Sequence, residues 1–354
     1  MTKAKILTLV GARPQFIKAA PLSRAIREHE HLDEVLIHTG QHFDAGMSDV
    51  FFDELGIPAP DHHLEIHGGN HGDMTGRMMQ AVEPVMLAEA PDVVLVYGDT
   101  NTTLAGALVA SKLSIPIAHV EAGLRSFNRA MPEEINRLLT DHVSSLLFCP
   151  TPAAVEHLSA EGITEGVYEV GDVMMDATLQ ARERAVGRST ILDDLNLDGI
   201  EYAVATVHRA ENTDSRERLE AVISWLERQA SEQSVILPLH PRTRSALARY
   251  GISFESVRTI EPVGYLDMVQ LLRSCTAVYT DSGGLQKEAY FHGKPCVTLR
   301  DETEWTETID HGWNRLWTQS DYQSRHAITC YGDGHTSSSI TDVLTDFCTT
   351  HSVG

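Results

Sequence analysis

Short apolar runs alternate with longer amphipathic stretches along the chain, and no other feature of the sequence constrains its fold as strongly. In the first half, the apolar runs lie at residues 6–10, 34–39, 93–97 and 117–120. Helical patterns accompany them at residues 16–30, 48–55, 74–90 and 102–113. Strands that alternate with helices form βαβ units around a parallel sheet, and near-continuous apolar runs indicate strands covered on both faces.

The alternation restarts in the second half, so the sequence predicts two domains of the same class. The later strands are predicted at residues 202–207, 235–239, 276–279 and 295–299, and the later helices at 216–229, 266–273 and 285–291. A chain of 354 residues is long for one hydrophobic core, and we predict an α/β protein with two doubly wound, Rossmann-like domains, 1–169 and 170–354. Ligands of such sheets bind beyond the carboxyl ends of the strands, so we expect the site in the cleft where the two domains face each other.

The chain is strongly acidic. Asp and Glu number 50 against 28 Lys and Arg, which gives a formal charge of −22. This balance disfavours nucleic acid and anionic membranes as partners, and an anionic ligand must be met by a local cluster of cations. Most of the cations are arginines, and this lysine-poor, acid-rich balance suggests adaptation to a high-salt cytoplasm.

Cysteines and apolar runs bear on the compartment. The five cysteines form no CxxC pair and several lie in apolar stretches, so we expect them to be reduced. No apolar run reaches the roughly 18 residues that a membrane span needs, and residues 1–10 lack the profile of a signal peptide. The sequence therefore predicts a cytoplasmic protein without a membrane segment. Four histidines between residues 62 and 71 show no ligand spacing, and we expect no metal.

A glycine turn with two cations follows the first predicted strand. Residues 11–18 read GARPQFIK, so a proline suited to a helix start stands with Arg13 and Lys18 where a strand gives way to a helix. The spacing is neither that of GxGxxG nor that of a P-loop, which argues against the usual dinucleotide and ATP sites. We interpret the turn as an anion cradle, with an ordinary turn and a surface arginine as the alternative.

A second glycine turn has the same layout after the strand at 276–279. The backbone N–H groups at Ser282, Gly283 and Gly284 can hold a diphosphate at a helix N-terminus, aided by the helix dipole. Glu288, about one turn further into the helix, can accept hydrogen bonds from ribose hydroxyls. The alternative is a capped helix with two turn glycines.

Acidic residues end two predicted strands of the first half. Asp99 follows the third of these strands and Glu121 the fourth, while Glu133 comes after a short loop that also contains Arg125. Charged side chains where parallel strands meet a cleft are costly to desolvate unless they are paired or used, so a catalytic role is one interpretation. A helix cap at Asp99 and ion pairs at the glutamates are the other.

Histidine and arginine end two strands of the second half. His208 and Arg209 follow the first of these strands, and His240 with Arg242 follows the next. A histidine at a strand end can titrate near neutrality, and an arginine can bind phosphate through two hydrogen bonds. Together these residues suit a departing diphosphate.

Taken in order, these segments resemble the non-hydrolysing UDP-N-acetylglucosamine 2-epimerases. The matching segments extend over nearly the whole chain: GARP at 11–14, GQH at 40–42, GDT at 98–100, HVEAGLR at 119–125, PEEINR at 132–137, HR at 208–209, DSGG at 281–284 and GKP at 293–295. The resemblance implies the GT-B arrangement of two Rossmann-like domains, a C-terminal helix that crosses back to the first domain, and a homodimer.

The resemblance also implies a reaction at C2 of a UDP-linked sugar, without a cofactor, that supplies polysaccharide or glycan synthesis. The family eliminates UDP across C1 and C2 to give a 2-acetamidoglucal, and adds UDP back after a proton has returned to the opposite face. In this chain Asp99, Glu121 and Glu133 match the catalytic carboxylates and His208 the essential histidine. The residues that match the family's UDP contacts are Arg13, Ser282, Gly283, Gly284 and Glu288. We also place three further cations at the UDP-sugar site, Lys18, Arg125 and Arg209.

Two departures from the family pattern bear on the substrate. The loop at 122–132 is shorter than the aromatic, proline-rich version of well-known bacterial members, and Gln15 stands where many have Glu. We expect UDP-N-acetylglucosamine as the substrate. The loop also resembles that of relatives acting on UDP-2,3-diacetamido-glucuronic acid, for which Arg129 would supply an extra cation, and this substrate is the alternative.

Other functions stay open on the sequence alone. A hydrolysing 2-epimerase shares the elimination step but lets water intercept the intermediate, a glycosyltransferase on the same fold requires an acceptor, and a nucleotide-sugar sensor binds without turnover. Some family members also bind a second UDP-N-acetylglucosamine as an activator. The residues that match that region are Gln41, His42, Arg77, Arg209 and His240.

Overall fold

The computed structural model describes residues 3–41, 52 and 54–351. Contacts within the chain divide it into two units. Unit 1 extends to Ala177 and takes in the last segment from Thr329, whereas unit 2 covers Thr178–Ile328. The predicted domains, which met between residues 169 and 170, differ from these units in the boundary and in the assignment of the last segment.

Each unit is built on one parallel sheet. Among the described residues, the sheet of unit 1 has seven strands: β1 Ala4–Val10, β2 Leu32–His38, β3 His62–His63, β4 Val93–Tyr97, β5 Ile117–Val120, β6 Leu146–Cys149 and β7 Val167–Glu169. In the same part of the chain, the sheet of unit 2 has six: β8 Tyr202–Thr206, β9 Ser234–Pro238, β10 Arg258–Ile260, β11 Ala277–Thr280, β12 Cys296–Thr298 and β13 Asn314–Leu316. All neighbouring strands pair in parallel, so the predicted fold class is confirmed.

Helices connect the strands, as βαβ units require. In chain order they are α1 Arg13–Glu28, α2 His71–Glu89, α3 Asn101–Lys112, α4 Pro132–Val143, α5 Pro152–Ala160, α6 Val173–Ala185, α7 Ile191–Asp194, α8 Ala210–Thr213, α9 Arg216–Ala230, α10 Pro241–Tyr250, α11 Tyr265–Ser274, α12 Gly283–Phe291, α13 Thr306–Asp310 and α14 Thr336–His351. The helix predicted at 48–55 lies largely outside the described residues. Within those residues, no helix is both long enough and apolar enough to cross a membrane.

The strand order reverses once in each sheet. The orders are β3-β2-β1-β4-β5-β6-β7 in unit 1 and β10-β9-β8-β11-β12-β13 in unit 2. Doubly wound sheets bind ligands at the carboxyl end of such a switch point, which lies between β1 and β4 in one sheet and between β8 and β11 in the other. The register pairs Tyr97 with Val120 and Thr206 with Thr280, so the turns after these paired strands leave the sheets side by side.

Apolar side chains cover both faces of the sheet in unit 2. Along β8, Ala203 and Ala205 join one buried cluster, whereas Tyr202 and Val204 join another. Successive residues of a strand point to opposite faces, so the strand is buried on both sides. The interior of the strand therefore has no room for charged side chains, and these collect at its carboxyl end.

The C-terminal helix α14 belongs to unit 1, which confirms the return expected from the family resemblance. It begins beside Asp176 of α6, a buried carboxylate that accepts hydrogen bonds from the backbone N–H groups of Thr336 and Ser337 at 3.2 and 2.7 Å. The N–H groups of a first helical turn have no partner inside the helix, and a carboxylate there also complements the helix dipole. Asp176 therefore anchors the start of α14.

We expect Asp176→Ala to lower the free energy of unfolding by about 1–2 kcal/mol, because two N–H groups at the start of α14 lose their acceptor. Urea unfolding measures the loss, and hydrogen exchange at the first turn of α14 shows where it occurs. Asp342→Ala, an exposed position of the same helix, is the matched control and should change stability by less than about 0.5 kcal/mol. Equal effects of the two substitutions would contradict the anchoring role.

Candidate functional site

Two charged turns leave the carboxyl edge of the unit 1 sheet side by side. Asp99 lies two residues beyond the end of β4, and Glu121 directly follows β5. The backbone is left-handed at Gly98 and at Glu121, with φ of +61° and +70°. This conformation is costly for glutamate and marks positions where the surrounding structure imposes a side-chain direction. Two backbone bonds hold the Glu121 turn, since the N–H groups of Glu121 and Ala122 both donate to the Phe148 carbonyl at 3.1 Å.

Both carboxylates are bonded to cations. The Lys18 ammonium of α1 donates to Glu121, and the Arg137 guanidinium of α4 donates to Asp99. The Lys18 and Glu121 side chains are 13% and 11% exposed, whereas Asp99 is 36% exposed. The turn at Gly98 packs closely against the Lys18–Glu121 pair. A β-carbon added at Gly98 would stand 3.1 Å from the Glu121 carboxylate. Among these four side chains, two negative and two positive, Asp99 is the most exposed.

The pKa of Asp99 is raised above its ordinary value. Partial burial is the main cause, and the negative charges of Glu121 and Glu133 add to it, while Lys18 and Arg137 oppose it. The three carboxylates singled out in the sequence therefore form one electrostatic group. A carboxyl group with a raised pKa takes up and releases a proton closer to neutrality, so this arrangement can perform general acid–base chemistry.

Lys18 keeps its positive charge in this setting. Burial lowers the pKa of its ammonium group, but the attraction of Glu121, with smaller contributions from Asp99 and Asp172, outweighs burial and the pKa is raised. The sequence pattern placed Lys18 in an anion cradle together with Arg13. In the structure its ammonium is the counterion of Glu121.

The Gln15 side chain bonds the backbone N–H groups of the predicted anion cradle. This buried side chain accepts hydrogen bonds from the N–H groups of Gly11 and Ala12 at 2.9 and 3.1 Å, and donates to the Tyr97 carbonyl at 3.0 Å. Two of the N–H groups on which the cradle depended are thus already bonded, while the Arg13 side chain is exposed. The residue that departs from the family pattern has a structural role at the start of α1.

Arg137 is a candidate functional residue that the sequence analysis did not assign. Besides Asp99, its guanidinium bonds Glu134 at 2.8 and 2.9 Å, and Glu134 also accepts the backbone N–H groups of Ser126 and Phe127. Burial raises the pKa of Glu134, but these hydrogen bonds outweigh it and the pKa is lowered. The sequence could have indicated the ion pair between Glu134 and Arg137, since residues three apart share a face of a helix.

Arg125, which was predicted to contact the substrate, is part of a buried ion network instead. Its side chain is 1% exposed. The guanidinium donates to Asp141 at 2.7 Å and to both oxygens of Glu161 at 2.7 and 2.8 Å. The physical reason is the cost of desolvation, because a buried guanidinium needs carboxylates on both of its edges. The structure does not bring Arg125 to the Asp99 group.

Two of the residues matched to a second-ligand region, Gln41 and Arg77, have structural partners in unit 1. Gln41 accepts the backbone N–H of Thr102 at 3.1 Å, in the first turn of α3. Arg77 donates to Asp73 at 3.0 Å. His42 lies outside the described residues.

His208 and Asp281 meet at the carboxyl edge of the unit 2 sheet. Asp281 is fully buried and accepts the backbone N–H groups of His208 and Arg209, each at 2.8 Å, and the Asn212 amide at 3.0 Å. The Nδ1 atom of His208 lies 3.1 Å from the same carboxylate. Burial raises the pKa of Asp281, but the hydrogen bonds and charge of His208 outweigh it and the pKa is lowered. An ionised Asp281 therefore fixes the imidazole through Nδ1 and turns Nε2 outward.

Ser282 begins helix α12, and Gly283 and Gly284 are its first two residues. A β-carbon at Gly283 would stand 2.2 Å from the Glu304 carboxylate, so a larger residue there would displace the end of that side chain. The N–H groups of the first turn and the positive end of the helix dipole make this terminus suitable for an anion. Glu288, on the same helix, is 9% exposed.

Arg209 and His240 lie at the same edge of the unit 2 sheet. The Arg209 side chain is exposed, and the His240 ring centroid lies 5.3 Å from that of His208. His240 also begins α10, where its Nδ1 accepts the backbone N–H of Arg242 at 3.2 Å. Among the described residues of both units, no three His, Cys, Asp or Glu side chains are grouped to hold a metal ion.

Comparisons with known proteins confirm the resemblance seen in the motifs. A family model described as UDP-N-acetylglucosamine 2-epimerase matches residues 24–345. The chain is 56% identical over 316 residues to the UDP-2,3-diacetamido-2,3-dideoxy-D-glucuronate 2-epimerase of Pseudomonas aeruginosa, with 88% of each chain covered. It is 45% identical over 328 residues to the UDP-N-acetylglucosamine 2-epimerase of Methanocaldococcus jannaschii, again with 88% of each chain covered.

A solved structure extends the match to the fold. The crystal structure of the Methanocaldococcus jannaschii UDP-GlcNAc 2-epimerase in complex with UDP-GlcNAc and UDP superimposes with a TM-score of 0.85 at 42% identity. The alignment covers 97% of this chain and 99% of that chain.

We expect Arg137→Gln to raise the pKa of Asp99 further, because the substitution removes one of the two cations that oppose the rise. The carboxyl ¹³C shift of Asp99, followed by NMR through a pH titration, measures the change. Arg24→Gln, which alters an arginine elsewhere on α1, is the control and should leave the titration of Asp99 unchanged. An Asp99 titration at the wild-type midpoint in Arg137→Gln would show that this ion pair does not govern the group.

Proposed function

This chain belongs to the UDP-N-acetylglucosamine 2-epimerase family, and we propose that it inverts C2 of a UDP-linked 2-acetamido sugar by eliminating UDP and adding it back. The observation that carries the proposal is the raised pKa of Asp99 within a group that includes Glu121 and Glu133. The proton on C2 is weakly acidic, so its removal needs a carboxylate beside it. Its return on the opposite face needs a second group.

The proposed reaction balances without an oxidant or reductant. The C2–H bond breaks and its electrons form a double bond between C1 and C2, while the C1–O bond breaks and its electron pair leaves on the diphosphate of UDP. The product of this half is a 2-acetamidoglucal. In the second half a proton adds to C2 from the other face and the diphosphate oxygen bonds C1 again. No hydride moves, so the route requires no nicotinamide.

We assign the sugar to unit 1. Asp99, Glu121 and Glu133 exchange the proton at C2 on its two faces and stabilise the positive charge that develops at C1. Lys18 and Arg137 balance their charges, so the group can remain ionised without excessive repulsion. The exposure of Asp99 supports this assignment, because a reacting carboxyl group must be reachable by the sugar.

We assign the diphosphate to unit 2. The leaving diphosphate gains negative charge as the C1–O bond breaks, and the first-turn N–H groups of α12 at Gly283 and Gly284 can stabilise that charge. The backbone N–H of Ser282 donates instead to the Thr280 hydroxyl at 2.9 Å. His208, oriented by Asp281, can donate a hydrogen bond to the diphosphate. The family resemblance adds Glu288 as the acceptor for ribose hydroxyls and Arg13 as a further UDP contact.

Two sugars compete as the substrate. The motifs led us to expect UDP-N-acetylglucosamine. The 56% identity with the diacetamido-glucuronate enzyme supports UDP-2,3-diacetamido-glucuronic acid as the substrate. That sugar carries a carboxylate, and Arg129 is exposed in the loop that precedes Glu133. We therefore propose the uronate as the substrate and keep UDP-N-acetylglucosamine as the second candidate.

The family resemblance also supports the proposal that the protein acts as a homodimer in the cytoplasm. A second UDP-sugar site near Gln41, Arg77 and His240 has less support, because each of these side chains already has a hydrogen-bond partner within its own unit.

We expect Asp99→Asn to lower kcat by about 10²–10⁴-fold while UDP affinity stays unchanged, because the amide cannot exchange the C2 proton. Incubation with each UDP-sugar in D₂O, followed by NMR, measures deuterium at C2 and formation of the epimer, and calorimetry measures UDP binding. Asp33→Asn, at an exposed position of β2, is the matched control and should behave as the wild type.

Two outcomes would contradict the proposal. Free sugar that accumulates together with UDP would identify a hydrolysing enzyme. Wild-type protein that binds UDP but neither exchanges the C2 proton nor converts either sugar would identify a sensor.

We expect Arg129→Gln to lower kcat/KM for the diacetamido-uronate by about 10–100-fold, because the sugar carboxylate loses a charged partner. The same substitution should change kcat/KM for UDP-N-acetylglucosamine by less than about threefold. Arg129→Lys keeps the charge and is the conservative control. An equal loss of kcat/KM with both sugars would show that Arg129 does not recognise the carboxylate of the uronate sugar.

A further inference from the structure

His119 is a fully buried histidine that has no role in the reaction proposed above. It is the third residue of β5, and its side chain is 0% exposed. The Nε2 atom lies 2.7 Å from the carbonyl oxygen of Gly98, and the Nδ1 atom lies 2.7 Å from a carboxylate oxygen of Asp141. Each ring nitrogen therefore has one close oxygen partner.

Both oxygen partners of His119 are acceptors. A carbonyl oxygen and an ionised carboxylate can accept hydrogen bonds but cannot donate them. A neutral imidazole has one N–H group and one lone pair, so it would satisfy one oxygen and direct its lone pair at the other. Both hydrogen bonds form only when both nitrogens carry a proton.

The other partners of Asp141 show that this residue is the ionised one. Its carboxylate also accepts the backbone N–H of Gly123 at 3.1 Å and the Arg125 guanidinium at 2.7 Å. The Gly123 N–H and the Arg125 guanidinium can only donate to this carboxylate, so both contacts favour its ionised form. The shared proton therefore belongs to His119.

Charge balance shows that the His119–Asp141 pair holds one proton, which the donors around Asp141 place on His119. Glu161, Arg125, Asp141 and His119 form a chain in which each ion contacts the next at 2.7 Å. With a cationic His119, the chain has two negative and two positive charges and is neutral. A neutral histidine would leave one buried carboxylate uncompensated, which is strongly destabilising.

This buried chain holds both turns that carry the proposed reactive carboxylates. His119 bonds the carbonyl of Gly98, the residue before Asp99. Its partner Asp141, on α4, bonds the turn that follows Glu121. Both turns have left-handed backbone and depend on the surrounding structure to maintain it.

We infer that His119 is a buried imidazolium that positions Asp99 and Glu121 for the reaction, and that its charge is required for this role. The positioning role rests on the proposed function, whereas the protonation of His119 does not. A neutral side chain of similar size cannot donate to Gly98 and to an ionised Asp141 with equal strength. Replacing His119 with such a side chain therefore releases the turn that bears Asp99.

The charge of His119 can be measured without any assay of activity. In the full-length protein with ¹⁵N-labelled histidine, we expect both ring nitrogens of His119 to show the shifts of protonated nitrogen at neutral pH. The signals are assigned by their loss in His119→Gln, and His31, an exposed histidine of unit 1, serves as the reference. One protonated and one unprotonated nitrogen on His119 would overturn the inference.

Kinetics separate a positioning role from a purely structural one. We expect His119→Gln to lower kcat by about ten- to a hundredfold, with KM changed by less than about twofold, because the substrate contacts remain and only the reactive turns shift. His31→Gln should match the wild type. Wild-type kcat in a destabilised His119→Gln would show that the residue only supports the fold.

A double substitution tests the charge itself. His119→Gln with Asp141→Asn removes one charge of each sign and makes the chain neutral again. We expect its melting temperature to recover relative to His119→Gln alone, while kcat stays low. Additive losses of melting temperature in the double variant would overturn the charge requirement. If the wild type converted no UDP-sugar, the proposed function and the positioning role would both fail, while the NMR result would still decide the charge of His119.

Discussion

Ion pairing at the carboxyl edge of the unit 1 sheet is the interaction on which the site depends. Strands β4 and β5 are buried and lead directly into Asp99 and Glu121, where an unpaired carboxylate would either protonate or destabilise the fold. Lys18 from α1 and Arg137 from α4 provide the opposite charges. Because the two cations come from different helices, the packing of those helices on the sheet and the charge balance of the site are determined together.

The sheet of unit 2 stabilises a buried carboxylate by a different means. Asp281 is fully buried, but its hydrogen bonds come from the backbone N–H groups of His208 and Arg209 and from the amide of Asn212. The hydrogen bond and charge of His208, together with these neutral N–H donors, keep the pKa of Asp281 low. The Arg209 guanidinium therefore remains exposed at this edge. In unit 1, by contrast, Lys18 and Arg137 are bonded to carboxylates.

The sequence predicted the long strands well, because buried parallel strands are nearly continuous apolar runs. Five strands escaped prediction: β3, with two residues, β7, β10 and β13, with three each, and β6, with four. Asp99 and Glu121 could be singled out as candidates because they follow strand ends. Their partners could not, because Lys18 and Glu121 lie 103 residues apart and only packing brings them together. For the same reason, Arg125 resembled a ligand-binding cation until its buried partners were known.

Differences in exposure separate Asp99 from the buried carboxylates of Asp141 and Glu134. The Asp141 and Glu134 side chains are 0% and 2% exposed, and both have lowered pKa values because several donors surround each of them. Asp99 is 36% exposed, and its pKa is raised. A group that must accept and release a proton needs a pKa closer to neutrality, whereas the groups that hold it in place must stay ionised throughout. Asp141 and Glu134 therefore stay ionised, whereas Asp99 is the carboxylate among these three whose environment favours uptake and release of a proton.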